Sequence, residues 1–104
     1  MAGKLGSPQR TAPAASVIPV IWTEAALSDL ERIRAYIGHF NPIAARRMAS
    51  RLLEAVNGLT MFPERGRPIG QGRREVVSVW PYLIRYRIVD DKVVILRVRH
   101  GAQA

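Results

Sequence analysis

The sequence predicts an α+β fold in the order β-α-α-β-β-β, with an antiparallel sheet and an antiparallel helix hairpin packed on one face of it. Residues 24–59 carry two amphipathic helical patterns separated by only a few residues, and helices joined by so short a connection pack antiparallel. Residues 75–100 are rich in β-branched and aromatic side chains with short turns between them, which predicts strands that pair antiparallel. The apolar faces of the helices need an apolar sheet face to cover.

The first strand and the first helix follow from their boundary residues. Residues 17–22 are mostly β-branched, and Pro19 restricts them to a sheet edge or a strand start. Thr23 offers a side-chain oxygen as the helix N-cap, and Gly38 is expected to end the helix in a left-handed conformation. Asp29 is expected to lie outside the apolar helix face, which consists of Leu27, Leu30, Ile33 and Ile37.

The second helix is predicted to begin at Asn41, with Pro42 at its first position, and to end at Pro63. Its apolar stripe consists of Ala45, Met48, Ala49, Leu52, Val56 and Leu59. The arginines on its outer side, which are more typical of a solvated face than of a binding one, are Arg46, Arg47 and Arg51. Residues 64–72 contain three glycines and are predicted to form a mobile loop, and no Walker lysine follows to make it a nucleotide-binding loop.

Alternation divides the hairpin of residues 80–101, which turns at Asp90-Asp91, into two faces. The face that the helices are expected to cover carries Tyr82, Ile84, Tyr86, Ile88, Val94, Leu96, Val98 and His100. The opposite face carries Leu83, Arg85, Arg87, Val89, Val93, Ile95, Arg97 and Arg99. The second face is therefore expected to be open and to present four arginines, flanked by those of the preceding loop.

Length and charge indicate one domain with an anionic partner. The 104 residues have room for one domain over residues 17–104, and residues 1–16, rich in small residues and proline, are predicted to be a disordered N-terminal tail. Sixteen Lys and Arg against eight Asp and Glu give a net charge of +8. Residues 65–100 hold nine of the bases and three of the acids, a net of +6, so the partner-facing surface is expected in this half.

Composition also excludes several classes of site. The chain has no cysteine and two histidines, so we expect no metal site and no cofactor. It has no apolar run long enough to cross a membrane, so we expect no membrane partner and a cytoplasmic location.

A set of short motifs stands in a fixed order between residues 18 and 103. They are Trp22-Thr23-Glu24-Ala25-Ala26, Asp29-Leu30, Phe62-Pro63-Glu64, Gly66-Arg67, Arg74-Glu75, Pro81-Tyr82-Leu83-Ile84, Tyr86-Arg87, Ile95-Leu96-Arg97-Val98 and His100-Gly101. Each motif is weak alone, but the ordered set is fairly specific. In these residues the chain resembles the RelE/ParE superfamily of toxins from bacterial type II toxin–antitoxin (plasmid stabilisation) systems, and most closely its ParE branch.

The resemblance implies a growth-inhibiting toxin that forms a hetero-oligomer with a cognate ParD-like antitoxin, whose acidic C-terminal segment wraps across it. Arginines would receive such a segment through charge-assisted pairs. The residues at which we expect antitoxin or target contacts are Arg65, Arg67, Arg74, Arg85, Arg87, Arg97 and Arg99. The resemblance also implies two possible targets, because RelE-like members cut mRNA on the ribosome whereas ParE-like members poison DNA gyrase without being nucleases.

The choice between these targets depends on groups that can transfer protons. RNA cleavage without a metal needs an acid and a base, and a guanidinium group does not give up its proton. Gln103 stands where many relatives carry arginine, and no terminal tyrosine follows it. His100 is the remaining candidate, with Arg87 and Arg97 to hold phosphate, but alternation places His100 beside Val98 and away from the arginines. The sequence therefore favours a gyrase inhibitor, with a ribosome-dependent mRNA endonuclease as the alternative and a generic nucleic-acid-binding domain last.

Overall fold

The computed structural model describes residues 18–101, except for the side chain of Ser78. The predicted tail of residues 1–16 and the departure at Gln103 lie outside the described residues. The elements are β1 (Val20–Trp22), α1 (Glu24–Phe40), α2 (Pro42–Gly58), β2 (Arg67–Gly70), β3 (Arg73–Val79), β4 (Tyr82–Val89) and β5 (Lys92–His100).

The predicted fold class is confirmed, with one strand more than the sequence indicates. The five strands form a single sheet in the order β1-β5-β4-β3-β2. The strands from β2 to β5 pair antiparallel, and β1 lies parallel to β5 at the edge, so the sheet is mixed. The extra strand β2 lies in the segment predicted to be a mobile loop, and that prediction is wrong for Arg67–Gly70. An edge strand tolerates Pro68 because its missing N–H removes no bond from the sheet interior.

The two helices pack on one face of the sheet and enclose the core. The side chains that are fully buried and largest are Tyr86, Leu52, Leu59, Ile84, Ile95, Val56 and Val93. They come from α2, from the turn that follows it and from the middle of β4 and β5, as the apolar patterns of α2 and β4 predict. Within residues 18–101, no helix is both long enough and apolar enough to cross a membrane.

The helix boundaries are set by caps, and two of the predicted ends are wrong. Thr23 caps α1 as predicted, because its Oγ1 accepts from the Ala26 N–H at 3.1 Å. Asn41 caps α2 as predicted, accepting from the Ala44 N–H at 3.0 Å. However, α1 continues through Gly38 to Phe40, and a Cβ at Gly38 would lie 3.6 Å from the Cβ of Ala45, so this glycine lies where the two helices approach each other. The second helix ends at Gly58, before the predicted Pro63.

A bulge in β5 overturns the strict alternation assumed for that strand. Arg85 lies opposite Arg97 and Tyr86 lies opposite Ile95, so Leu96 is an additional residue without a partner in β4. The bulge changes the face that each side chain occupies. Val93 and Ile95, predicted on the open face, are fully buried in the core, and Val98 is buried on the same side. Alternation from Val98 onward then follows the sequence prediction.

Candidate partner-binding face

The open face of the sheet carries a row of charged residues in register across four strands. Arg67 on β2 lies opposite Glu75 on β3, Glu75 opposite Arg85 on β4, and Arg85 opposite Arg97 on β5. Glu75 accepts from Arg85 Nε at 2.9 Å and from Arg67 Nη2 at 3.1 Å. Its carboxylate is buried between them, with 5% of the side chain exposed. Two of the predicted binding arginines therefore already hold an internal carboxylate.

The arginines around Glu75 also determine its ionisation. The hydrogen bond from Arg85 is the largest influence and lowers the pKa of Glu75, burial opposes it, and the bond from Arg67 lowers it further. The net result is a pKa of Glu75 below its ordinary value. Glu75 is therefore a fixed negative charge and not a proton donor or acceptor near neutral pH.

The next row on the same face lacks a carboxylate. Arg73 on β3 lies opposite Arg87 on β4, and Arg87 lies opposite Val94 on β5. Among residues 18–101, no Asp or Glu is within ion-pairing distance of either arginine. Arg73 Nε makes a long 3.4 Å bond to the carbonyl oxygen of Gly70, and Arg87 Nε is buried without a hydrogen-bond partner. Like charges directly opposite each other destabilise a sheet. The positive charges of this row are therefore not neutralised within the described residues.

Asp29 occupies the free edge of β5 beyond the end of β1. Its carboxylate accepts from Arg97 Nε at 2.7 Å, from Arg97 Nη2 at 3.0 Å and from the Val98 N–H at 2.9 Å. It satisfies an amide that β1 is too short to reach, and it fixes Arg97 in a bidentate pair. Arg32 adds a third cationic contact at 3.2 Å. The pattern analysis placed Asp29 outside the buried helix face, and that placement is wrong, since the side chain is 5% exposed whereas Leu27 is 48% exposed.

Burial and pairing oppose each other at Asp29. Burial is the largest influence and raises the pKa of Asp29, but the bonds from Arg97, Val98 and Arg32 together outweigh it, so the pKa lies below its ordinary value. The hydrogen bonds to Asp29 and the negative charge of Asp29 raise the pKa of Arg97. Arg97 therefore holds an internal carboxylate through its Nε and Nη2 atoms.

A cleft of about 580 Å³ lies where α1 passes the end of β5. Its lining consists of Asp29, Arg32, Ile33, Tyr36, Tyr82, Arg97, Val98, Arg99 and His100. His100 lies opposite Tyr82 in the sheet and meets its ring edge-on at 5.5 Å, on the helix side as alternation predicts. Arg97 and Arg99 also line this cleft, although their strand positions alternate with those of Val98 and His100. Arg87 does not line it, so the three candidate nuclease residues do not form one site.

The remaining predicted contact residues have different environments. Arg74 lies on the helix side, where its Nη1 donates to the carbonyl oxygens of Gly66 at 2.7 Å and Glu64 at 3.2 Å, so it supports a loop. Arg65 is exposed beside a shallow depression at the end of the helix hairpin. Arg99 is half-buried and reaches both the open face and the cleft. Within the described residues, no cluster of His, Cys, Asp and Glu could hold a metal ion.

Two important residues of this face were not identified from the sequence as site residues. Arg73 was given no role in the sequence analysis, and the register that places it against Arg87 is not visible in the sequence. Asp29 was assigned to the polar side of α1, although it is three residues after the fully buried Ala26 and four before Ile33, a spacing that places it on the buried stripe.

A tyrosine anchors the loop that precedes the open face. Tyr86 is fully buried; its hydroxyl donates to the Pro63 carbonyl oxygen at 2.6 Å and accepts from the Gly66 N–H at 2.8 Å. A Cβ at Gly66 would lie 2.7 Å from the Tyr86 ring and hydroxyl, so only glycine fits there. Burial raises the pKa of Tyr86. The proline, glycine and tyrosine motifs thus have a structural explanation, and Tyr86 packs in the core as predicted.

The fold and these motifs agree with a family-level match. The family model of the ParE toxin of type II toxin–antitoxin systems, parDE, matches residues 20–104. The chain belongs to the ParE toxin family. Toxin RelE2 of Caulobacter vibrioides is 52% identical over 84 residues, which cover 81% of this chain and 96% of the relative. The putative toxin Y4kP of Sinorhizobium fredii is 44% identical over 84 residues, which cover 79% of this chain and 86% of the relative.

Solved structures have the same architecture as this toxin. A chain of the chromosomal ParDE toxin–antitoxin system from P. aeruginosa superposes with a TM-score of 0.74 at 24% identity, covering 83% of this chain and 98% of that one. A chain of the toxin–antitoxin complex RelBE2 from Mycobacterium tuberculosis superposes with a TM-score of 0.62 at 28% identity, covering 81% and 98%. The names of the relatives divide between RelE and ParE, so family membership does not by itself choose between the two targets.

Proposed function

We propose that this toxin acts by binding DNA gyrase and is neutralised by a cognate antitoxin, whose acidic segment lies across the arginine-bearing open face. The net charge of +8 and its concentration in residues 65–100 support an anionic partner for that face. The RelBE2 chain from Mycobacterium tuberculosis belongs to a toxin–antitoxin complex, and the matching family is that of a toxin from toxin–antitoxin systems, which supports an antitoxin here as well.

The observation that carries the proposal is the charge on the open face, where Arg73 and Arg87 lie opposite each other and no Asp or Glu among residues 18–101 pairs with either of them. Arg85 holds Glu75 and Arg97 holds Asp29, and both carboxylates have lowered pKa values. The charged side chains of this face are thus arginines, which do not transfer protons near neutral pH, and carboxylates that remain ionised. Such a face suits binding by charge-assisted contacts better than metal-independent RNA cleavage, which needs proton transfer.

One observation favours the alternative, a ribosome-dependent mRNA endonuclease. The cleft at the end of β5 brings His100 together with Tyr82 and Arg99. A histidine could act as acid or base, and an arginine could stabilise the extra charge on a phosphorane. We rank this function second because Arg97, the other cation nearest the histidine in sequence, is bound bidentately by Asp29.

The two functions separate in a direct experiment with toxin purified free of antitoxin. We expect inhibition of gyrase supercoiling at toxin concentrations that leave mRNA intact in a translating extract. Replacement His100→Ala should leave gyrase inhibition within about twofold of wild type, since His100 packs against Tyr82 on the helix side of the sheet, away from the open face. Ribosome-dependent cleavage that disappears in His100→Ala, together with uninhibited gyrase, would establish the endonuclease instead.

A further inference from the structure

We propose that Arg73 and Arg87 form a two-arginine site that receives one carboxylate side chain from a partner protein, the acidic residue that this row of the sheet lacks. The inference rests on the proposed function, because it takes the antitoxin as that partner. It specifies where on the open face the carboxylate binds, and it includes Arg73, which the sequence analysis did not name as a contact residue. Both arginines lie on the open face, directly opposite each other on the neighbouring strands β3 and β4.

The adjacent row provides an internal example of the bound state. Glu75 lies between Arg67 and Arg85, accepting 3.1 Å and 2.9 Å bonds from them. Arg73 is two residues from Glu75 on β3, and Arg87 is two residues from Arg85 on β4, so the two rows repeat along the same strands on the same face. In the second row Arg73 occupies the β3 position that Glu75 has in the first row, and Gly70 lies opposite it on β2, so a carboxylate that bridges Arg73 and Arg87 has to come from a partner.

The arginines of the second row also have unused hydrogen-bonding capacity. Arg87 Nε is buried and finds no acceptor among residues 18–101, a state that costs free energy unless a ligand supplies the acceptor. The side chain of Arg73 donates a long 3.4 Å hydrogen bond to the carbonyl oxygen of Gly70. Directly opposed guanidinium groups repel each other, and an oxyanion between them would reverse that repulsion while satisfying the buried donor.

The surroundings favour a protein carboxylate over a nucleic-acid phosphate. Beyond Arg87 the row continues to Val94 and then to Ile21 on β1, which is 44% exposed. Aliphatic neighbours suit the alternating side chains of a peptide. Single-stranded nucleic acid is usually held by aromatic side chains on which bases stack. The row from Arg73 to Ile21 contains no aromatic side chain.

Thermal unfolding of the antitoxin-free toxin with small anions tests the site. Glutarate, compared with chloride at equal ionic strength, should raise the Tm of wild type by about 4 °C, a shift typical of modest ligand binding to a domain of this size. The shift should vanish in Arg87→Gln and in Arg73→Glu. Arg73→Glu should also have a higher Tm than wild type without added anion, because it places an internal carboxylate opposite Arg87.

The second arm measures affinity for the cognate antitoxin. Arg87→Gln and Arg73→Glu should each weaken it about tenfold or more, whereas the matched control Arg47→Gln on the exposed side of α2 should not change it.

Unchanged antitoxin affinity in both variants, or a glutarate shift that persists in Arg87→Gln, would overturn the site. Stabilisation by inorganic phosphate but not by glutarate would assign it to a nucleic acid. Wild-type toxin that binds no antitoxin but responds to glutarate would contradict the proposed function and retain the carboxylate site.

Discussion

Arg85 and Arg87 stand two positions apart on β4 with their side chains on the same face, yet their surroundings differ completely. Arg85 donates to a buried carboxylate at 2.9 Å, whereas Arg87 lies opposite another arginine and its buried Nε has no acceptor in the described part of the chain. The difference is set by the residues that register brings opposite them. The function of an arginine on this sheet therefore depends on its cross-strand neighbour more than on its exposure.

The comparison extends to the edge of the sheet. Arg97 resembles Arg85 in holding a buried carboxylate, Asp29, that comes from a helix instead of a strand. The arginines with internal carboxylates stabilise the fold, and those without are available to a partner. Substitutions in the first group should therefore lower stability, whereas substitutions in the second group should weaken partner binding and change stability little.

The largest loss of stability is expected when the carboxylate partner of a paired arginine is removed. Asp29→Ala should destabilise the toxin by about 3 kcal/mol, because it leaves the Val98 N–H without an acceptor and breaks the bidentate pair with Arg97. Chemical denaturation of antitoxin-free protein measures this value. The matched control is Glu31→Ala, whose ion pair with Arg34 lies on the surface and should contribute less than about 0.5 kcal/mol. Equal effects of the two replacements would contradict the structural role of Asp29.

A somewhat smaller and pH-dependent effect is expected for Glu75→Gln, about 1.5 kcal/mol of destabilisation at neutral pH. The pKa of Glu75 is lowered in the folded state, so the unfolded state binds its proton more readily. The stability that Glu75 contributes is therefore complete above its ordinary pKa of about 4.3 and is lost as the pH falls through the lower folded-state value.

The unfolding free energies of wild type and Glu75→Gln should consequently converge as the pH falls below about 4. Denaturant unfolding at a series of pH values measures the convergence. Arg67→Gln is the control, because it removes the more exposed of the two arginines that pair with Glu75. The Arg67 side chain is 75% exposed, so its loss should lower stability less. A difference between wild type and Glu75→Gln that stays constant down to acidic pH would show that the carboxylate charge is not responsible.

The sequence predicted the parts of this face that depend on local pattern. Thr23 and Asn41 were recognisable as caps, Asp90-Asp91 forms the tight turn with both residues at positive φ, and the alternation of β4 separated Tyr86 from the arginines correctly. These features depend on the conformational preferences of residues close in sequence, which a single chain displays directly.

The parts that were missed depend on contacts between distant residues. The bulge at Leu96 leaves no signature in an apolar run, because Val93, Val94, Ile95 and Leu96 could each be placed on either face. The pairing of Asp29 with Arg97 joins residues 68 positions apart. The opposition of Arg73 and Arg87 requires the β3–β4 register, which shifts again between Val76 and Val79. The residue types were visible in the sequence, but their partners were not.

The smallest effect on stability is expected for a substitution in the row of Arg73 and Arg87. Comparing it with a substitution of Arg85 distinguishes most directly between arginines with and without an internal carboxylate. Arg87→Gln should change the free energy of unfolding by no more than about 0.5 kcal/mol, because the lost packing of the side chain is offset by relief of its repulsion with Arg73. Arg85→Gln on the same strand should cost about 1.5 kcal/mol, since it removes a charged donor from buried Glu75. Denaturant unfolding of both variants under identical conditions measures the pair. If Arg87→Gln is as destabilising as Arg85→Gln, Arg87 contributes to the fold in the same way as Arg85, and the distinction between paired and unpaired arginines fails.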